Sequence, residues 1–562
     1  MGNSAPWAYL EPYRGTTVKG TWPTMVEAFK ITASRYGERP CFTIYEPDRI
    51  SLSYNEALRI IEGAARWLHS RGVRPGDRVA LTGKNSPEWA LAFIAIHFAG
   101  GVVIPLDHQL RQEETEALIL FSGARILFVD EEKYERCAAN LKDSVRAVVS
   151  LTRGLGTYLC DLDGPQAEWE LPDENSLAAI LFTSGTMGKP KGVMLSHANL
   201  LADNYLAQCH IDLGPEDVFY ALLPIHHAYS MTVFIVVMAI GAELVFGKRM
   251  VTKAILKDLK QAGITIFLGV PMLFNKLLAG IIQGIKAKGP LVYGVITALM
   301  AVSGFIKKTF KVNPGKRMFR FLLDQASLTS VKTCICGGGP LAPRVFRKFN
   351  QLGINFIQGY GLTETSPIIT LNPVDHYKET SVGKVLPQID MRILDPDEQG
   401  VGEVILKGPV VMQGYYEMPD ETAAAFTPDG YLKTGDLGRL DSENYLYLTG
   451  RAKNIIVTDG GKNVYPEEIE NEFQLYEEID HILIRSFTAD EEFRTEGIEA
   501  LVYPSPERYP RDRPREEIQD EIEKIISTVN RRLLPYQKIT RTIILEEPME
   551  MTTTKKVKRG EA

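Results

Sequence analysis

Between Ser53 and Pro105 the chain alternates helix-type and strand-type patterns, and this alternation narrows its fold more than any other feature. Ser53 and Glu56 are spaced as a capping box before an apolar stripe of Ala57, Leu58, Ile61, Ala64, Ala65 and Leu68. That is the period of a helix burying one face. Arg78–Thr82 is strand-like, and Ser86-Pro87 opens a second helix with proline at its first position, where the missing N–H is tolerated. Residues 100–105 supply another strand. Helix and strand in alternation predict an α/β fold, a largely parallel sheet covered by helices. A chain of 562 residues exceeds what one core accommodates, so two to four folding units are expected, on the order of 100–200 residues each.

From about 381 to 447 the pattern changes to short strands separated by Gly, Pro and Asp turns. MRIL, GEVILKG and YLYLTG around DPDEQG predict a small antiparallel barrel or sandwich. After Arg451 a third pattern begins: Pro466 starts a helix, and 516–534 is amphipathic through Ile518, Ile522, Ile525, Ile526 and Val529. Strand candidates at 481–486, 499–503 and 540–545 complete a compact α+β tail of about 110 residues.

Charged residues make up 24% of the chain and net charge is −7, which excludes nucleic-acid binding through bulk positive charge. The six cysteines lack CxxC spacing, which favours a reducing compartment and no structural zinc or disulfide framework. The start, MGNSAPWAYL, has neither a basic nor an apolar signal region, and Pro6 stands where a myristoylation signal has Ser or Thr. The uncharged run 291–306 falls short of the roughly 20 residues of a spanning helix. A cytoplasmic location is the default expectation.

The most informative stretch is TSGTMGKPKG at 183–192. Gly185, Gly188 and Gly192 let backbone approach a phosphate, Thr183, Ser184 and Thr186 offer hydroxyls, and Lys189 and Lys191 supply charge. It is not a Walker A loop, because Pro190 follows Lys189 where Ser or Thr is required. AAILF before it and GVML after it are strand-like, so the loop joins two strands. Alone, such a segment also fits an ordinary surface turn.

The loop resembles the phosphate-binding signature of the adenylate-forming superfamily: acyl-CoA synthetases, luciferases and peptide-synthetase adenylation domains. Further matches follow in that family's order: His227 in LPIHHAYS, CGGGP at 336–340, QGYGLTE at 358–364, YLKTGD at 431–436 and GRAKN at 450–454. GGKNVYPEEIE at 460–470 and MTTTKKVKR at 551–559 complete the series. The resemblance implies an adenylation domain over 1–450 with two helix-covered, mostly parallel sheets and a small β-barrel about 381–447. A mobile α+β lid, 451–562, would follow, with its hinge at Lys453.

It also implies that Thr183, Ser184, Gly185, Thr186, Gly188 and Lys191 cradle the ATP phosphates, with Mg²⁺ held by Glu364 and Thr183. Tyr360 would stack on adenine, Gln358 and the backbone of Gly338, Gly339 and Pro340 would read its edge, and Gly359, Gly361 and Thr363 would also bind ATP. Asp436 and Arg451 would bind the ribose. Lys556 would be the catalytic lysine in a T-x-T-x-K-x-K-R form of the terminal motif, with Lys555 as the neighbouring alternative. The bland reading of that tail is a solvated basic run. Gly460, Gly461 and Lys462 would meet coenzyme A after the lid turns. His227 would sit beside the acyl pocket as a packing or gating group or as an acid or base, with His226 structural.

The implied reaction joins a fatty acid, with long-chain acids as the leading reading, to coenzyme A through an acyl-AMP. Medium-chain or aromatic acid ligases, a carrier-loading acyl-AMP ligase and an inactive nucleotide-binding scaffold are the alternatives. An insertion at about 280–330, rich in Ile, Phe, Val and Lys, resembles one in long-chain fatty acyl-CoA synthetases. Its composition fits a helical pair packed on the body or a peripheral contact with the inner membrane face. Residues 231–240 read as core.

Overall fold

The computed structural model describes residues 5–183, 190–248, 251–458, 462–490, 495–510, 513–551, 557 and 559. The helix Tyr54–Ser70 starts at Ser53, whose hydroxyl accepts from the Glu56 N–H while Glu56 returns a bond to the Ser53 N–H. The capping box expected from the sequence is therefore formed. Ser86 likewise caps Pro87–Phe98, and Arg78–Thr82 and Val102–Leu106 are neighbouring parallel strands.

A seven-stranded sheet runs in the order Gly414–Tyr415, Lys191–Ser196, Leu177–Thr183, Val102–Leu106, Arg78–Thr82, Ile126–Val129, Ala147–Ser150. Its last four strands are parallel. A second sheet of 13 strands contains a parallel block: Pro40–Ile44, Glu243–Phe246, Val218–Ala221, Ile266–Gly269, Thr333–Cys336 and Asn355–Gly361. Beyond Asn355–Gly361 the same ladder becomes antiparallel, through Ile368–Leu371, Gly383–Val385, Tyr445–Arg451, Leu432–Leu440, Gly402–Lys407 and Asp390–Leu394. The turn-rich region of the sequence thus hydrogen-bonds directly onto the parallel sheet.

The helix Pro87–Phe98 packs on Arg78–Thr82 and Val102–Leu106 of one sheet and Pro40–Ile44 of the other. With Ala228–Ile240 it is apolar all round and buried, as a helix enclosed on every side must be. Trp89, Phe93 and Phe234 join them, with ring centroids of Phe93 and Phe234 5.2 Å apart in an edge-to-face contact. Residues 456–539 gather a separate core of Ile469, Phe473, Ile484, Val502, Ile522 and Ile526. There the helix Arg515–Asn530 covers a sheet of Ile479–Asp490, Thr495–Pro504 and Arg541–Ile544. This carboxyl-terminal unit touches the body through Gln474, whose amide accepts from Ala342 N–H at 2.8 Å and donates to Pro340 O at 2.9 Å.

Candidate active site

Loops leaving the carboxyl ends of parallel strands are where open α/β sheets bind ligands, and the 337–340 turn after Thr333–Cys336 and His227 after Val218–Ala221 lie in such loops. Thr333–Cys336 runs into the turn 337–340, and Asn355–Gly361 beside it ends in Gly-Tyr-Gly, with Cys336 opposite Gln358. Gly338 has φ +78°, open to glycine at little cost. A Cβ on Gly361 would lie 1.6 Å from the Pro367 carbonyl oxygen, so glycine is obligatory there. A Cβ on Gly337 would meet the Tyr229 ring at 3.0 Å, and the Tyr229 hydroxyl donates to Ile335 O at 3.0 Å. Gln358 is buried in the middle of its strand, where the parallel pairing ends, and its carbonyl accepts from Asn372 N–H.

Asp436 and Arg451 face each other across antiparallel strands. Arg451 Nε lies 2.8 Å from Asp436 Oδ1, and the Tyr360 hydroxyl donates to Asp436 Oδ2 at 2.6 Å. Both carboxylate oxygens thus have an internal partner, and each keeps a lone pair for an incoming donor. Burial, then the Asp436 charge, pushes the Tyr360 phenol well above its ordinary value, so it stays a donor.

The phosphate-loop flanks, Leu177–Thr183 and Lys191–Ser196, pair antiparallel with Thr183 opposite Lys191, the strand–loop–strand arrangement read from the sequence. Lys191 Nζ lies 4.8 Å from the centroid of the Tyr415 ring, and the Tyr415 hydroxyl donates to Glu364 Oε1 at 2.9 Å. Tyr415 therefore links the lysine of the loop to the carboxylate of YGLTE. Glu364 is the middle residue of the short 3₁₀ turn Thr363–Thr365, and its backbone carbonyl accepts from Met412 N–H.

His227 is the N-cap residue of Ala228–Ile240. Its ring centroid is 4.2 Å from that of His226, whose Nε2 is 3.6 Å from Asp107 Oδ1. Asp107, His226 and His227 each present a ligand atom within 4.8 Å of the others. Burial, with the neighbouring His226, drives His227 down to about 3, so it is neutral at pH 7. Burial pushes the Asp107 carboxyl up, but the His226 ring and the Gln109 N–H outweigh it and hold it low. Asn85 bolts this loop to the other sheet, donating to Ala221 O and Leu223 O and accepting from Ile225 N–H.

Residues 29–416, more than half of the chain, match the family model described as "AMP-binding enzyme". The chain belongs to the AMP-binding enzyme family.

Among relatives, it is 27% identical over 524 residues to a long-chain-fatty-acid–CoA ligase of Bacillus subtilis (strain 168), covering 85% of each protein. It is 28% identical over 471 residues to a feruloyl-CoA synthase of an Amycolatopsis species, covering 81% of this chain and 83% of that one. The solved structure of ATP-bound MatB from Rhodopseudomonas palustris superposes with TM-score 0.74 at 25% identity, covering 95% of this chain and 97% of that one. The mixed α/β architecture is that of this family of AMP-binding enzymes.

Within this AMP-binding enzyme the structure brings together two groups of the expected residues. Tyr360, Asp436 and Arg451 form one, and Lys191 and Glu364, through Tyr415, form the other. Thr183 lies opposite Lys191 and is bonded to its carbonyl at 3.4 Å. Gly359 and Thr363 lie on the same chain segment as Tyr360. Lys453 occupies the short turn Ala452–Asn454, and Lys462 is exposed, its N–H donating to Thr458 Oγ1. Ser184, Gly185, Thr186, Gly188, Gly460, Gly461 and Lys556 lie outside the described residues. Sequence reasoning missed Tyr415, Asp107 and Gln474. Only Asp107 carried a usable signal, as an acid directly after a buried strand ending in Leu106.

Proposed function

We propose that this AMP-binding enzyme is an acid–CoA ligase acting on fatty acids, with long-chain acids preferred. A carboxylate would attack the α-phosphate of ATP, release pyrophosphate and give an acyl-AMP; the coenzyme A thiol would then take the acyl group and release AMP. Two anions meet in the first step, so positioning and charge neutralisation carry the catalysis. The Tyr360–Asp436–Arg451 group beside the 337–340 turn carries the reading. Asp436 is a buried carboxylate held by two donors within its strand, with capacity left for ribose hydroxyls.

Lys191 and the loop 183–191 would hold the β- and γ-phosphates. The Thr183 hydroxyl and Glu364 carboxylate are hard oxygen donors, the kind Mg²⁺ takes, and Tyr415 orients Glu364 toward that task. A bound Mg²⁺ would lower the charge on the phosphate oxygens. Lys556 would bridge the incoming carboxylate and the α-phosphate. We assign 1–450 as the adenylation body and 451–562 as a lid turning near Lys453, which would bring 460–462 to coenzyme A. His227, neutral through burial, suits a wall of the acyl pocket better than a cation.

The relatedness to a fatty-acid ligase and the apolar 280–330 insertion support long-chain acids. The feruloyl-CoA synthase relative favours an aromatic acid as the second reading. A panel of acids from acetate to about C18, with ferulate and benzoate, scored as AMP release with coenzyme A present, separates them. Best turnover with a long-chain acid is the expected result, and best turnover with ferulate overturns it. Lys556→Ala is expected to abolish acyl-AMP formation while leaving thioester formation from supplied acyl-AMP.

A further inference from the structure

The helix Pro290–Phe310 reverses the usual arrangement of a surface helix. Its buried residues are Ile296, Met300, Ser303 and Lys307, so a hydroxyl and an ammonium face the protein. Lys307 Nζ donates to Asn350 Oδ1 at 2.8 Å, Asn355 Oδ1 at 2.9 Å and Ile354 O at 3.2 Å. This cage fixes the helix along the body, beside Pro343–Gln351. Leu291, Val295, Leu299, Val302 and Phe305 are 81, 53, 41, 52 and 64% exposed. Spaced by three and four, they form one outward stripe. By length and composition the helix could cross a membrane, but the Lys307 cage holds it flat instead.

The charge around this stripe is one-sided. Residues 280–330 contain eight Lys or Arg and a single acid, Asp324, within a chain of net charge −7. Lys288, Lys308, Lys311, Arg317 and Arg320 are exposed around it. Lys288 Nζ sits 5.1 Å from the ring centroid of Phe321, itself 47% exposed. An outward apolar stripe ringed by cations is the surface that beds into the headgroup–acyl boundary of an anionic bilayer. A protein partner would have to offer an apolar groove rimmed almost wholly by acids.

We infer that residues 290–321 form a docking surface for an anionic lipid bilayer. The helix lies in the plane of the interface and the protein body stands outside it. This deepens the fatty-acid reading, because long acyl chains are dissolved in that phase.

The test is flotation of the full chain with vesicles of equal parts phosphatidylglycerol and phosphatidylcholine, against phosphatidylcholine alone. The wild-type chain is expected to float with the anionic vesicles, and high salt is expected to weaken it. Val295→Glu with Phe305→Glu should lower the partition constant roughly tenfold or more. Lys308→Glu with Arg317→Glu should lower it several-fold and remove the lipid selectivity. Both double variants should keep their circular dichroism. No flotation of the wild-type chain, or equal flotation of the Val295→Glu/Phe305→Glu chain, overturns the inference. Self-association lost in that variant, with no vesicle binding, assigns the face to a second copy of the chain. Vesicle binding without acid-dependent pyrophosphate exchange keeps this inference and sinks the ligase reading; exchange without vesicle binding does the reverse.

Discussion

Two apolar helices, Ala228–Ile240 and Pro290–Phe310, have opposite fates. Every residue of the first except Tyr229 is buried, and its N-cap residue is His227 of the candidate site. The second buries four residues, one of them a lysine, and turns Leu291, Val295, Leu299, Val302 and Phe305 outward. Apolar composition therefore marks a helix that must leave water without saying what shields it. The first is shielded by the fold's own layers, and a bilayer is the inferred shield of the second. Enclosure also fixes how each helix can serve function: the first holds site residues in place, and the second offers a surface.

A matched pair of substitutions breaks this comparison if it is wrong. Phe234→Asp puts an unpaired charge among Phe42, Trp89 and Phe93 and is expected to cost more than about 4 kcal/mol, enough to prevent folding. Phe305→Asp is expected to stay within about 0.5 kcal/mol of wild type. Urea unfolding measures both; similar losses would mean that the outward face is covered within the chain itself.

Next in size is Asp436→Ala, which leaves the Arg451 and Tyr360 donors without their acceptor. It is expected to lower kcat/KM for ATP roughly 100-fold, about 3 kcal/mol, and to act equally on every acid tested. Steady-state kinetics with two acids of different length checks this; a change in acid preference would move Asp436 to the acyl side.

A smaller effect follows from pH at the first helix's N-cap. The folded His227 sits at about 3, below the ordinary unfolded value of about 6.5. The unfolded chain therefore binds more protons between those values. Its contribution to stability is full above about pH 6.5 and is lost as pH falls toward 3. The unfolding free energy from urea titration is expected to be about 1–2 kcal/mol lower at pH 5 than at pH 7, and His227→Asn should narrow the gap. An unchanged gap would mean that other buried groups carry it.

The smallest expected effect is that of Tyr415→Phe, which removes one hydroxyl from Glu364 and leaves the ring over Lys191. A loss of roughly tenfold in kcat, about 1.4 kcal/mol, is predicted, with stability nearly unchanged.

How much could be read from the sequence followed the chemistry of each part. The Ser53–Glu56 capping box and the strands flanking 183–191 were legible because their signals lie within a few residues. The 337–340 turn and Gly361 were legible through the family resemblance, and the positive φ of Gly338 and the Pro367 carbonyl against Gly361 show why glycine stands there. Tyr415 was not, since it reaches Glu364 from 51 residues away and belongs to no local pattern. The reversed face of Pro290–Phe310 was hidden too: periodicity gives a stripe's position, while only packing shows that Lys307 is inside and Phe305 outside. The antiparallel strands were legible as strands. Their continuation of the parallel ladder depends on pairings such as Tyr360 with Thr370, which no local signal encodes.

Acid-dependent exchange of labelled pyrophosphate into ATP tests the central claim most directly, because it reports acyl-AMP formation without coenzyme A. The account predicts exchange that appears only when a fatty acid is added and falls roughly 100-fold in Asp436→Ala. Binding of ATP with no exchange for any carboxylic acid would contradict it and leave a nucleotide-binding scaffold.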